Sequence, residues 1–161
     1  MYYYRQVFLN KETGNKLLED VESLVNNLGF SVVEINSSTN RNRLKINIIV
    51  YSSKGVKIDD CSVIHKTIFP RLEVIYDKFD VYLEVSSPGI ERSFKDAREF
   101  DVFEGKAVKI MYGESNDWEH GVIVSTENDA VVIKFNENNQ IVKFNDIHKC
   151  KLDYLKEVHK S

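Results

Sequence analysis

The chain has 161 residues, 42% of them apolar and 29% charged, and its 22 Lys and Arg against 25 Asp and Glu leave a formal net charge of -3. That length suits one ordinary domain or two small ones, and the acidic balance argues against a protein whose whole surface coats nucleic acid, since neutralising phosphates takes a basic excess. Two cysteines are too few for a disulfide framework, no run approaches the roughly 18 apolar residues of a membrane span, and Met1-Tyr2-Tyr3-Tyr4 lacks a signal peptide's apolar segment, so no membrane contact and a cytoplasmic location are expected.

Leu17, Leu18, Val21, Leu24, Val25 and Leu28 recur at helical spacing with Gly29 in the stop position, which predicts an amphipathic first helix. A strand from about Phe30 to Ile35 follows. A Ser-, Thr- and Asn-rich stretch then separates it from a second strand in which Leu44, Ile46, Ile48 and Val50 alternate with polar residues, and the two read as a hairpin with a longer loop. Asp59 and Asp60 can cap a second helix whose Cys61, Ile64, Ile68, Leu72 and Ile75 mark one face, with Pro70 expected to kink it or end its first segment. Val81, Leu83 and Val85 alternate along a third strand that runs into Ser86-Ser87-Pro88-Gly89, where proline supplies a fixed φ and glycine a permissive one. The order helix, strand, strand, helix, strand suits a two-layer α+β domain.

Past this point the pattern changes. Asp96 to Phe103 can form a short helix, and five short β candidates follow: Ala107 to Tyr112, Glu119 to Ser125, Ala130 to Phe135, Gln140 to Phe144 and His148 to Leu152. Their separators, such as Glu127-Asn128-Asp129, carry turn chemistry, and short, evenly spaced strands suggest a small barrel. Asp153 to Ser161 reads as a polar, frayed tail. The expected domains are 1-92 and 93-161; the first carries 12 Lys and Arg against 12 Asp and Glu, the second 10 against 13, so neither is a basic module.

The stretch Leu83-Glu84-Val85-Ser86-Ser87-Pro88-Gly89-Ile90-Glu91-Arg92 resembles the signature of the bacterial ribosome maturation factor RimP family. Leu28-Gly29-Phe30, Gly55-Val56, Asp60-Cys61 and Phe103-x-Gly105-Lys106-x-Val108 extend the likeness over most of the chain, from about Leu17 to Leu152. The resemblance implies an N-terminal domain of KH-like architecture, followed by an Sm-like, SH3-type barrel. It also implies a non-catalytic, monomeric factor that binds immature small ribosomal subunits late in 30S assembly, with 16S rRNA and small-subunit ribosomal protein twelve as partners and no cofactor. One departure stands out: the family usually continues Arg-Pro-Leu, whereas Ser93 and Phe94 follow Arg92 here, which leaves the angle between domains to packing rather than to the turn.

Several residues are candidates for the work. Ser86, Ser87, Pro88, Gly89, Glu91 and Arg92 form the expected interdomain junction, in which Arg92 either pairs with Glu84 or Glu91 to brace the turn or presents its planar fork to a phosphate or carboxylate. Arg41 and Arg43, among hydrogen-bonding residues of the hairpin, are either phosphate contacts or a solvated loop, and Arg92, Lys95 and Arg98 are either rRNA contacts or members of surface ion pairs. Tyr112 and Trp118, the only tryptophan, are candidate protein-partner contacts or core residues.

A KH domain clamps nucleotides with a Gly-x-x-Gly loop, but the glycines stand at 14, 29, 55, 89, 105, 113 and 121, with no two three apart. A stand-alone KH-like RNA-binding regulator is therefore the second reading. Catalysis finds no Gly-x-Ser-x-Gly elbow or glycine-rich phosphate loop, and the only close Cys/His spacings, Cys61-x3-His65 and His148-x-Cys150, do not make a zinc site.

Overall fold

A computed structural model describes the backbone over residues 11-158 and side chains over 19-156. The expected apolar positions Leu17 and Leu18 and the Tyr2-Tyr3-Tyr4 run lie outside the described side chains. The chain divides after Pro88 into two compact units.

The first unit contains α1 (Lys11–Asn27), β1 (Ser31–Asn40), β2 (Arg43–Tyr51), α2 (Ile58–Ile75) and β3 (Asp80–Ser86). Its sheet has the order β1-β2-β3: β1 and β2 run antiparallel, whereas β2 and β3 run parallel because α2 carries the chain back across the sheet. Val21 and Val25 of α1 and Ile64, Ile68 and Leu72 of α2 bury against Leu44, Ile46, Ile48 and Val50 of the central strand. The hairpin differs from expectation. β1 continues through the polar residues to Asn40, which pairs with Arg43, so only Arg41 and Asn42 form the turn, with Arg41 at φ 56°. Ser, Thr and Asn do not interrupt the ladder because pairing uses backbone groups, and at this end of β1 the side chains are exposed.

Pro70 likewise does not end its helix: α2 runs through it to Ile75. The flanking residues Ile68 and Leu72 sit in the core, so tertiary burial holds the helix together across the missing N-H. At its start the N-cap is Lys57, whose backbone N-H donates to the Asp60 carboxylate at 2.8 Å. Among the described residues no helix is long and apolar enough to cross a membrane.

The second unit contains α3 (Glu99–Val102), β4 (Ala107–Tyr112), β5 (Glu119–Thr126), β6 (Ala130–Phe135), β7 (Asn138–Lys143), a 3-10 turn at Phe144–Asp146, β8 (Ile147–Leu152) and α4 (Tyr154–Val158). The strands form one antiparallel sheet ordered β7-β6-β5-β4-β8. Bulges at Ile123/Ser125 and Met111/Tyr112 bend it, yet no ladder joins β7 to β8 among the described residues, so the sheet is open where a closed barrel was expected. Phe94, Phe100 and Phe103 are buried together: Phe94 meets Phe100 edge-on at 5.0 Å between centroids and stacks on Phe103 at 5.2 Å. Phe94, one of the two residues that depart from the family's Arg-Pro-Leu, thus anchors this core. The tail is partly structured too, since Asp153 is buried and α4 follows it.

Candidate nucleic-acid interface

The residues of the expected junction meet different fates. β3 ends at Ser86, and the Arg92 N-H closes a turn onto the Gly89 carbonyl at 3.1 Å. Gly89 does not use its freedom: its φ lies outside the left-handed region and a Cβ there would meet nothing within 4 Å. Arg92 turns inward. Its Nε donates to Glu99 Oε1 at 2.5 Å, its side chain is 7% exposed and that of Glu99 1%, so neither Glu84 nor Glu91 is the partner seen here and the fork is not presented to solvent. Its backbone belongs to the second unit as well, accepting from Leu152 N-H at 3.0 Å, and the division of the chain therefore falls after Pro88 rather than after Arg92.

Lys95 is exposed and Arg98 half-buried, with Arg98 Nε 3.7 Å from Asp96 Oδ1, the local ion-pair arrangement. Arg92, Lys95 and Arg98 therefore do not form one outward basic cluster.

Arg41 and Arg43 both remain exposed at the hairpin tip. The Arg43 guanidinium lies 4.8 Å from the ring centroid of Tyr82, itself 47% exposed on β3, and Lys45 Nζ stands 3.8 Å from Glu84 Oε2 on the same face. Tyr82 was missed by sequence reasoning. The signal was the parallel register that sets Tyr82 opposite Lys45 and Asp80 opposite Arg43, a tertiary pairing. An arginine held over an exposed aromatic ring next to a second arginine can bind phosphate and stack on a base.

Tyr112 and Trp118 do not form a pair. The Tyr112 ring stacks on Phe135 at 5.6 Å, and its hydroxyl donates to Glu119 Oε2 at 3.0 Å with the Gln140 amide 3.3 Å away; desolvation, then Glu119, push its pKa up. Trp118 instead lies against two lysines, with Lys109 Nζ at 5.7 Å and Lys151 Nζ at 5.6 Å from its ring centroid. Lys109 and Lys151 are direct cross-strand neighbours on β4 and β8.

The three described histidines have structural partners. His65 Nε2 donates to the Leu83 carbonyl at 3.1 Å, His148 Nε2 to the Gly113 carbonyl at 2.5 Å, and His120 Nδ1 meets the buried Asp153 carboxylate at 2.5 Å. Among the described residues no three His, Cys, Asp or Glu side chains gather as metal ligands.

Comparison with known proteins identifies the lineage. The family model described as the RimP N-terminal domain matches residues 20-91. The ribosome maturation factor RimP of Borrelia recurrentis (strain A1) is 38% identical over 136 residues, 84% of this chain and 91% of that protein. The chain belongs to the RimP family. Two more relatives of that name agree: that of Borrelia turicatae is 34% identical over 82% of this chain and 90% of its own length. That of Borreliella burgdorferi (strain ZS7) is 33% identical over 88% and 96%. The RimP relationship thus reaches well past the N-terminal family model into the second unit.

Proposed function

We propose that this protein is a non-catalytic, cytoplasmic ribosome maturation factor that binds immature small ribosomal subunits and promotes late 30S assembly. The observation that carries this reading is the relationship, over 84% of the chain, to a protein named ribosome maturation factor RimP. In this reading the first unit, of KH-like architecture, meets 16S rRNA through the exposed tip of Arg41, Arg43 and Tyr82, without the Gly-x-x-Gly clamp. The second, Sm-like unit meets small-subunit ribosomal protein twelve. Support for the latter comes from where its acidic residues stand: Glu114, Asp117, Glu127, Asp129 and Glu137 all fall in turns between strands, an arrangement suited to a basic protein.

Deletion of the gene, followed by sucrose-gradient profiles, tests the role. The expected result is accumulation of free subunits and precursor 16S rRNA, reversed by the intact chain; an unchanged profile overturns the reading. Co-sedimentation of the purified chain with small-subunit precursors, but not with mature subunits, is expected alongside it.

A further inference from the structure

The second half of the chain is acidic overall, yet its charges are sorted. Of the five strands of its sheet only β5 contains an acidic residue, Glu119, and that residue pairs with the buried Ile110 on the inward-facing rows. The outward rows hold Lys109 on β4, His120 on β5, Lys134 on β6, and Lys149 and Lys151 on β8, with register placing Lys109 opposite both His120 and Lys151, and Val122 opposite Lys134. A cleft of about 460 Å³ opens on this face, lined by His120, Lys134, Asn136 and Lys156 of α4. Asp153 is buried and taken by His120, while Asp117 and Glu119, which flank Trp118 in the chain, are exposed. Trp118, half-buried, lies against Lys109 and Lys151.

We infer that this outward face of the second sheet is a binding surface for single-stranded RNA. Its lysines take the phosphates and Trp118 serves as the stacking platform for a base. The inference rests on the reading of the chain as a ribosome maturation factor, and it assigns rRNA contact to the second unit in addition to the hairpin tip. Charge complementarity selects a polyanion: lysines from three strands and α4 converge with no exposed carboxylate among the outward strand positions. Between nucleic acid and an acidic protein, the aromatic ring decides, since bases stack on indole whereas carboxylates do not. An extended single strand also fits the strand-to-strand spread of the lysines, each strand being about 4.8 Å from the next.

Trp118 is the only tryptophan, so the intact, unmodified chain reports on this surface. Titrating a mixed-sequence single-stranded RNA of about 12 nucleotides should quench Trp118 emission saturably, with the same affinity as fluorescence anisotropy of the labelled RNA. The combined K109Q, K134Q and K151Q substitutions should lower the log-log salt slope by about 2, and W118L should weaken binding about tenfold, each with an unchanged circular dichroism spectrum. Poly-glutamate should leave the emission unchanged. RNA bound with no change in Trp118 emission, a triple variant that keeps the native slope, no RNA binding, or poly-glutamate binding in place of RNA would each overturn the inference. Co-sedimentation with small-subunit precursors separates the two levels. If it persists while Trp118 is silent, only the RNA surface is wrong; if it fails, the maturation reading itself is wrong.

Discussion

Arg92 and Glu99 form an ion pair inside the second unit, Nε to Oε1 at 2.5 Å, with both side chains buried. Glu99 does more than neutralise the arginine: its other oxygen accepts the backbone N-H groups of Lys95 at 2.7 Å and Asp96 at 3.0 Å, which fixes the turn leading into α3. Glu99 therefore joins the signature arginine, the following turn and the Phe94-Phe100-Phe103 cluster in one piece of structure.

Removing one partner should leave a buried charge without compensation. E99A and R92A are each expected to lower unfolding stability by about 3–5 kcal/mol, read from urea denaturation with the slope m held fixed. The double replacement R92M/E99L should recover much of that loss, because an apolar pair of similar volume carries no desolvation cost. If R92A unfolds like the native chain, Arg92 is not part of the core.

Gly121 on β5 has no room for a side chain. A Cβ there would stand 2.5 Å from Ile133 Cγ2, 3.0 Å from the Lys134 carbonyl oxygen and 3.1 Å from Phe135 Cδ1. G121A should destabilise the protein by about 1–3 kcal/mol through displacement of β6, and thermal unfolding followed by circular dichroism measures it.

Cys150 is buried, and burial first, then the charge of Glu99, push its thiol well above its ordinary value near 9.0; Cys61 is raised less deeply in the fold, by burial and then by Asp60. A raised thiol pKa means that the folded chain keeps a proton that the unfolded chain gives up above about pH 9, so stability falls as pH rises past that value and is unaffected below it. Between pH 8 and pH 10 the urea midpoint should drop, with a limiting slope of about 1.4 kcal/mol per pH unit from the buried Cys150 thiol. The C150A variant should show a smaller drop. Tyr76 and Tyr112, also raised, enter only above about pH 10.

Pro70 interrupts the hydrogen bonding of α2 while its own side chain is exposed. P70A should raise stability by about 1–2 kcal/mol, the helical gain less the entropy that proline removes from the unfolded chain. An unchanged or lower melting temperature would mean that the ring has a packing role.

Much of the fold was legible because apolar periodicity is a local property. The core rows of β2, of the five strands of the second unit and of α2 at Ile64, Ile68 and Leu72 follow the 2- and 3.6-residue repeats of the sequence. Ile75, expected on the same helix face, is instead exposed at the end of α2, and Cys61 is only half-buried. The errors arise where local signals met tertiary pairing. Polar residues that read as a long loop extend β1, because β2 offers them backbone partners, and a proline that reads as a stop is carried through by burial on both sides of it. The candidate site was less legible. Arg41 and Arg43 are exposed, which both of their readings required, whereas Arg92 is buried, and the alternating lysines at 109, 149 and 151 were present in the sequence without any sign of which face they shared.

By itself the sequence determined the α-β-β-α-β order, the shift to short strands after the Ser86-Ser87-Pro88-Gly89 segment, and, through that segment, membership of the RimP family. Only the tertiary structure decided that Arg92 is paired with Glu99, that Tyr82 supports Arg43, and that an acidic half presents a basic sheet face around Trp118. The reason is physical. Periodicity fixes which residues alternate along one strand, whereas register and strand order, set by pairing between distant segments, fix which of them share a surface.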